Sequence, residues 1–204
     1  MKYLILSFLL LLGMSSLAQN PAENFESALI PKMNRAEVAY SSDKHSFTLD
    51  IISNNVKPQD IPGLVLVDNK VLQFVFIPDV IAQSTDTSEL LQKEFLLAYM
   101  NYETDYVKNN AKIAYTNLAH QWLTIGGKLF LLWYYDMPPE CKTVKRQINL
   151  SSMCFRHPLN LNTPQTPEDI FDDSEQLLVK VSQTLKLNDF KLDFDALYKQ
   201  LNPK

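Results

Sequence analysis

A few groupings of residues in this chain have the types and spacing that chemistry requires. Cys154 and His157, two residues apart, have half the spacing of a zinc site. Tetrahedral zinc takes four ligands, and no third or fourth is apparent, since His45 beside Asp43 is remote in sequence. The expectation is no metal, with Cys154 a buried thiol and His157 an exposed turn histidine. His120 could act as a general base, with Asp136 in the same hairpin as its orienting carboxylate. Counting rungs places the two about 10 Å apart, so His120 reads instead as a core histidine flanked by Trp122 and Trp133. No GxSxG or HExxH motif occurs, and Ser151-Ser152 lies in a strand with no identifiable base. Glu168, Asp169, Asp172, Asp173 and Glu175 crowd the start of a helix, where the helix dipole already favours acidic groups. Lys142, Lys145 and Arg146 form a small basic patch that could touch anionic lipid or polysaccharide, or simply face solvent. No catalytic residue, cofactor site or metal site is expected.

Composition narrows the classes further. The 204 residues include 19 basic and 23 acidic side chains, a net charge of −4. Nucleic-acid binders concentrate basic charge on one face, so that class is not expected. With 4 glycines the chain has no Walker-type phosphate loop and no GxGxxG fingerprint, both of which cluster glycines. Its hydrophobic share of 46% is that of a globular protein.

The first residues read as an export signal. Met1-Lys2 supplies a positive start, residues 3–12 are nearly all apolar, and Ser16 and Ala18 occupy the −3 and −1 positions of a cleavage site. The apolar run is about half of the roughly 20 residues a spanning helix needs. No cysteine follows it to accept lipid. A signal peptide over 1–18 and one domain over 19–204 are expected, in the periplasm or secreted, with no transmembrane segment after cleavage. Cys141 and Cys154 would then meet an oxidising compartment. A strand between them would hold them roughly 40 Å apart, beyond disulfide reach, so they are expected to stay separate.

The element pattern runs strands, a long helix, strands, then helices. Residues 23–30 suggest a short helix. Phe47, Leu49 and Ile51 alternate in a strand over 46–52, and residues 64–67 and 71–77 flank a polar turn as a hairpin. Asp86 and Glu89 suggest a capping box for a helix ending near Asn109-Asn110, its buried stripe formed by Leu91, Phe95, Ala98, Tyr102 and Tyr106. Gly126-Gly127 joins 118–125 to 128–136. That turn pairs Ile125 with Lys128, Trp122 with Leu131, His120 with Trp133 and Leu118 with Tyr135. Residues 143–155 form a long strand. Thr166-Pro167-Glu168 opens a helix with Ile170, Ser174, Leu177, Leu178, Val181 and Leu185 inward, and residues 195–201 a last short one.

This order, with the hairpin WLTIGGKLFLLWYYDMP, the strand INLSSMCF and the closing helix PEDI…LLVKVSQTL, resembles the PsbP/Mog1-like α+β fold. The resemblance covers roughly residues 46–187 and implies an antiparallel sheet of about six strands sandwiched between helices, α/β/α. It also implies a binding or assembly factor rather than an enzyme, and it carries no functional residue with it.

Aromatic residues make up 11% of the chain, and Trp122, Trp133, Tyr134 and Tyr135 share one hairpin. If the second face of that hairpin is left partly uncovered, Leu123, Ile125, Phe130, Leu132 and Tyr134 line an apolar groove for a ligand or partner. Two amphipathic helices would otherwise bury the sheet on both faces. The expected function is an exported, non-catalytic binding or assembly protein, with an envelope protein or an apolar small molecule as partner. The alternative is a small periplasmic hydrolase with a dispersed site, such as His157 with a carboxylate from the acidic helix start.

Overall fold

The computed structural model describes residues 23–77 and 88–203. The expected signal peptide and the Asp86 cap lie outside them. In chain order the elements are β1 (Glu26–Lys32), β2 (Arg35–Ser41), β3 (Ser46–Ile52), β4 (Val56–Pro58), β5 (Leu64–Val67), β6 (Lys70–Phe76) and α1 (Glu89–Asn109). There follow β7 (Thr116–Ile125), β8 (Lys128–Asp136), β9 (Arg146–Cys154), β10 (His157–Gln165), α2 (Phe171–Ser182), β11 (Lys186–Asn188) and α3 (Phe194–Leu201). The chain is an α+β protein with antiparallel strands and, among the described residues, three helices. The strands divide between two sheets. One has four strands in the order β1-β2-β3-β11, and the other seven, in the order β4-β5-β6-β10-β9-β8-β7. The single six-stranded sheet of the sequence reading is thereby corrected.

Two of the added strands, β1 and β2, come from residues 26–41, and the short β4 and β11 are also unexpected. The expected helix over 23–30 is instead β1, which pairs with β2 from Glu26↔Ser41 to Lys32↔Arg35. Asn34, at φ 63°, makes the turn. A helix of that length is marginal alone, and the ladder to β2 pairs the backbone groups along one side of the strand. Ala36, Val38, Phe47, Leu49 and Ile51 of β2 and β3 then share one core with β5, β6, β8, β9, β10 and α2. One face of the large sheet is therefore covered by the small sheet and α2 together. The opposite face carries Leu131, Trp133 and Tyr135 beneath Leu96 and Met100 of α1.

Helix α1 is capped by Ser88, whose hydroxyl accepts the Leu91 amide. It buries Leu96, Tyr99, Met100 and Thr104, and Tyr102 stands 52% exposed, so the predicted stripe is rotated. Leu90, Leu91, Phe95, Leu96 and Leu97 put apolar groups on nearly every side of its first turns, and packing decides which go inward. Helix α2 starts at Phe171. Thr166 makes a turn instead, its amide (2.9 Å) and hydroxyl (2.8 Å) donating to the Asp169 carboxylate. Ile170 falls outside the helix and is exposed.

The Gly126-Gly127 turn is as expected, and the polar turn after β5 is shorter than expected, since Lys70 already belongs to β6. Asp68 and Asn69 (φ 50° and 69°) join β5 to β6, and Gly126 and Gly127 (φ 56° and 76°) join β7 to β8. The β7–β8 register holds from Ile125↔Lys128 to His120↔Trp133, but a bulge between Thr116 and Ala119 replaces the Leu118–Tyr135 pair. Strand β10 is central yet contains Pro158 and Pro164. Its pairing with β6 covers only Leu159 to Asn162, so neither proline displaces a ladder donor there.

Gly63 has φ 74° and its carbonyl oxygen accepts the Phe74 amide at 2.8 Å; a Cβ at this position would collide with the Phe74 carbonyl oxygen. Gly63→Ala is expected to cost about 2 kcal/mol. Urea unfolding should show a lowered midpoint at unchanged slope, and an unaltered midpoint would refute the close approach.

Candidate functional site

At one end of the large sheet the start of β1, the β2–β3 loop and the β9–β10 turn converge. The Glu23 carboxylate lies 2.9 and 3.0 Å from His45 Nδ1 and accepts the Ser42 hydroxyl. Ser42 Oγ in turn accepts the amides of Lys44 (3.2 Å) and His45 (2.9 Å). The His45 ring stacks on Phe155 at 4.4 Å. Burial alone would raise the Glu23 carboxyl, but its bonds to Ser42 and His45 outweigh that and hold it below the ordinary range. In a nucleophilic triad the imidazole stands between hydroxyl and carboxylate. Here the carboxylate stands between the other two, so the hydroxyl has no base, and the trio is a latch fastening the chain's start to the β2–β3 loop. Residues 22 and 19 positions apart form it, and nothing in their sequence spacing announces it.

His157 is not the exposed turn residue expected. The turn is Phe155-Arg156 (φ 50° and 73°), and His157 begins β10 at 2% exposure. It lies 5.9 and 5.6 Å from the rings of Phe25 and Phe76. The register does place it opposite Cys154. However, burial pushes the Cys154 thiol above its ordinary range, away from the thiolate a metal needs. Among the described residues no three His, Cys, Asp or Glu side chains gather as a metal would require. The acidic start of α2 follows the far end of β10, about 25 Å along the strand from His157. The structure does not bring His157 together with the acidic start of α2. Both cysteines are free, Cys141 partly exposed and Cys154 in the core.

A second polar grouping crosses the middle of the large sheet on its α1 face. Trp133 Nε1 donates to Ser151 Oγ (2.9 Å), Ser151 donates to Asn160 Oδ1 (2.9 Å), and Asn160 Nδ2 donates to Asn149 Oδ1 (3.1 Å). Gln147 Nε2 donates to Asn162 Oδ1 at 3.0 Å beside them. Asn149 Nδ2 is buried with no partner. The alternation of β9 and β10 predicts which side these residues take; the pairing that links them comes only from strand register. Nearby on α1, burial raises the Glu103 carboxyl and holds the Tyr99 phenol well above its usual range.

The proposed groove residues occupy the interior. Phe130 and Leu132 are fully buried, Ile125 nearly so, and Leu123 and Tyr134 pack partly covered against the same core. Tyr134 meets the Phe171 ring of α2 at 5.0 Å, which closes the face. Arg146 leaves the basic patch: it pairs with Asp136 at 2.6 Å and lies over the rings of Tyr134 (4.7 Å) and Phe171 (5.2 Å). Burial alone would raise the Asp136 carboxyl, yet Arg146 and Asn117 hold it low. Asp169 is held low by Lys70, 2.7 Å away, and by Thr166, so the acidic helix start serves structure.

The remaining feature is β7, an edge strand. His120 is exposed there rather than in the core, because α1 packs over β8 and β9 and touches β7 at Trp122 without covering His120. The tight Gly126-Gly127 turn makes Ile125↔Lys128 a hydrogen-bonded pair, so alternate residues Thr124, Trp122 and His120 aim their N–H and C=O outward. The other three sheet edges are blunted. β4 is three residues long and carries Lys57 and Pro58, and β11 is also three residues long with Lys186. β1 contains Pro31, whose carbonyl accepts Asn202 Nδ2 at 3.2 Å. β7 runs ten residues, TNLAHQWLTI, without proline or a charged side chain other than His120 when protonated. Short length, lysine, proline and coverage are the usual protections of an edge, and among the described residues β7 has only its bulge.

No family model matches the chain, and no curated protein matches it. In structure it is similar to the solution structure of cyanobacterial PsbP (CyanoP) from Synechocystis sp. PCC 6803, at 9% identity and a TM-score of 0.40. The likeness covers 86% of this chain and 99% of that one and rests at the level of fold, so no residue role passes between them.

Proposed function

We propose that this is an exported, non-catalytic binding or assembly protein of the cell envelope that receives an extended strand of its partner along β7. Export rests on the positive start, apolar run and Ser16/Ala18 cleavage pattern. The binding role rests on one observation: among the described residues β7 is left long, free of lysine, arginine and carboxylates, and open, while the other sheet edges are protected. Strand addition takes its affinity from main-chain hydrogen bonds and its selectivity from alternate side chains. Here those are His120, Trp122 and Thr124 on one face, with the Lys93 ammonium 5.5 Å from the Trp122 ring.

Site-specific photocrosslinking in the intact envelope tests this. A crosslinking residue at Thr124 should give a discrete adduct, and one at exposed Asn101 on α1 should not. Equal, diffuse labelling from both positions, or recovery of the protein only from the cytoplasm, would remove the reading.

A further inference from the structure

The strand that β7 receives, resting on the reading above, has a specific source: we infer that it is β7 of a second copy of this chain. Two antiparallel copies related by a two-fold axis through Trp122 set Trp122 against Trp122 and His120 against Thr124. Each outward N–H and C=O on the triplet then meets a partner group, and none stays open. Such an interface is isologous, which is how most homodimers close.

Charge favours this occupant. Like charges directly opposite destabilise paired strands, and charged residues on both sides of the axis would face one another across it. No lysine, arginine, aspartate or glutamate lies from Thr116 to Ile125, so self-pairing opposes no such charges. The bulge between Thr116 and Ala119 limits the paired stretch to residues 119–125. On one face the two Trp122 indoles become cross-strand neighbours; on the other, Leu123 of each copy meets Gln121 of its mate. The two seven-stranded sheets become one continuous sheet.

Sedimentation velocity of the mature chain, from low to high micromolar, tests this. Wild type should pass from monomer to dimer. Thr124→Pro removes an outward N–H that the β7–β8 ladder does not use, so the fold survives and the dimer constant rises about tenfold or more. The double change His120→Lys/Thr124→Lys sets lysine against lysine on both sides of the axis and should act in the same direction. Near-UV circular dichroism confirms that both variants remain folded. Wild type staying monomeric throughout, or both variants dimerising as wild type does, overturns the inference. If wild type is monomeric but the Thr124 crosslink reports a different envelope protein, self-pairing falls and strand addition stands. If neither is seen, both fall.

Discussion

Phe47→Ala is expected to lower stability by about 3–5 kcal/mol, the largest loss of any single truncation considered. Phe47 is fully buried on β3 and stacks on Tyr40 at 4.7 Å. Its edge contacts Phe76 of the large sheet at 4.8 Å and approaches Phe25 at 6.4 Å. It joins the small sheet to the large one, so alanine opens a void at a seam where two rigid layers meet and neither can collapse inward. The same packing raises the Tyr40 phenol to about 12, burial being the main cause. Urea unfolding followed by tryptophan fluorescence measures the loss. Trp122 and Trp133 both lie in the large sheet, so a separate circular-dichroism transition would show the small sheet unfolding first. A loss below about 1 kcal/mol would mean that the sheets are not packed through this residue.

Asn160→Leu is expected to cost about 3 kcal/mol, although it puts an apolar residue of similar size at the centre of a sheet. Asn160 accepts the Ser151 hydroxyl and donates to Asn149. After substitution the Ser151 proton loses its acceptor and Asn149, at 4% exposure and already unpartnered at Nδ2, has neither end of its amide bonded. The double variant Asn149→Leu/Asn160→Leu removes both partners and should cost less than the sum of the two single changes. A double-mutant cycle on denaturation free energies checks this. Additive single effects would show that the amides are not coupled.

Local patterns carried much of the architecture. Alternation located β3, β5, β6, β8 and β9, and paired glycines at 126 and 127 fixed the β7–β8 register because a two-residue turn with positive φ allows one pairing. The free cysteines also followed from local geometry, through the length of extended chain between them. Residues 26–41 were not legible. Their strand character comes from pairing with each other and from covering the large sheet, and neither is visible in a window of ten residues. The inward side of α1 was hidden for a related reason: apolar residues all round its first turns leave the choice to the surface it meets.

Sites depend still more on tertiary structure. Cys154 opposite His157 could be anticipated from a short turn, yet burial decides that the thiol stays protonated and the imidazole faces phenylalanines. Glu23, Ser42 and His45 meet because β1 closes against the β2–β3 loop, and residue type alone does not say that the carboxylate takes the middle position. His120 was read as core from its tryptophan neighbours; the sheet ends at β7, and that places it outside. Composition and periodicity by themselves determined the class of fold and the main turns, because these depend on neighbours in the chain. Which strand lies at an edge is a property of the whole sheet, and so only the tertiary structure could show that the edge left open is β7.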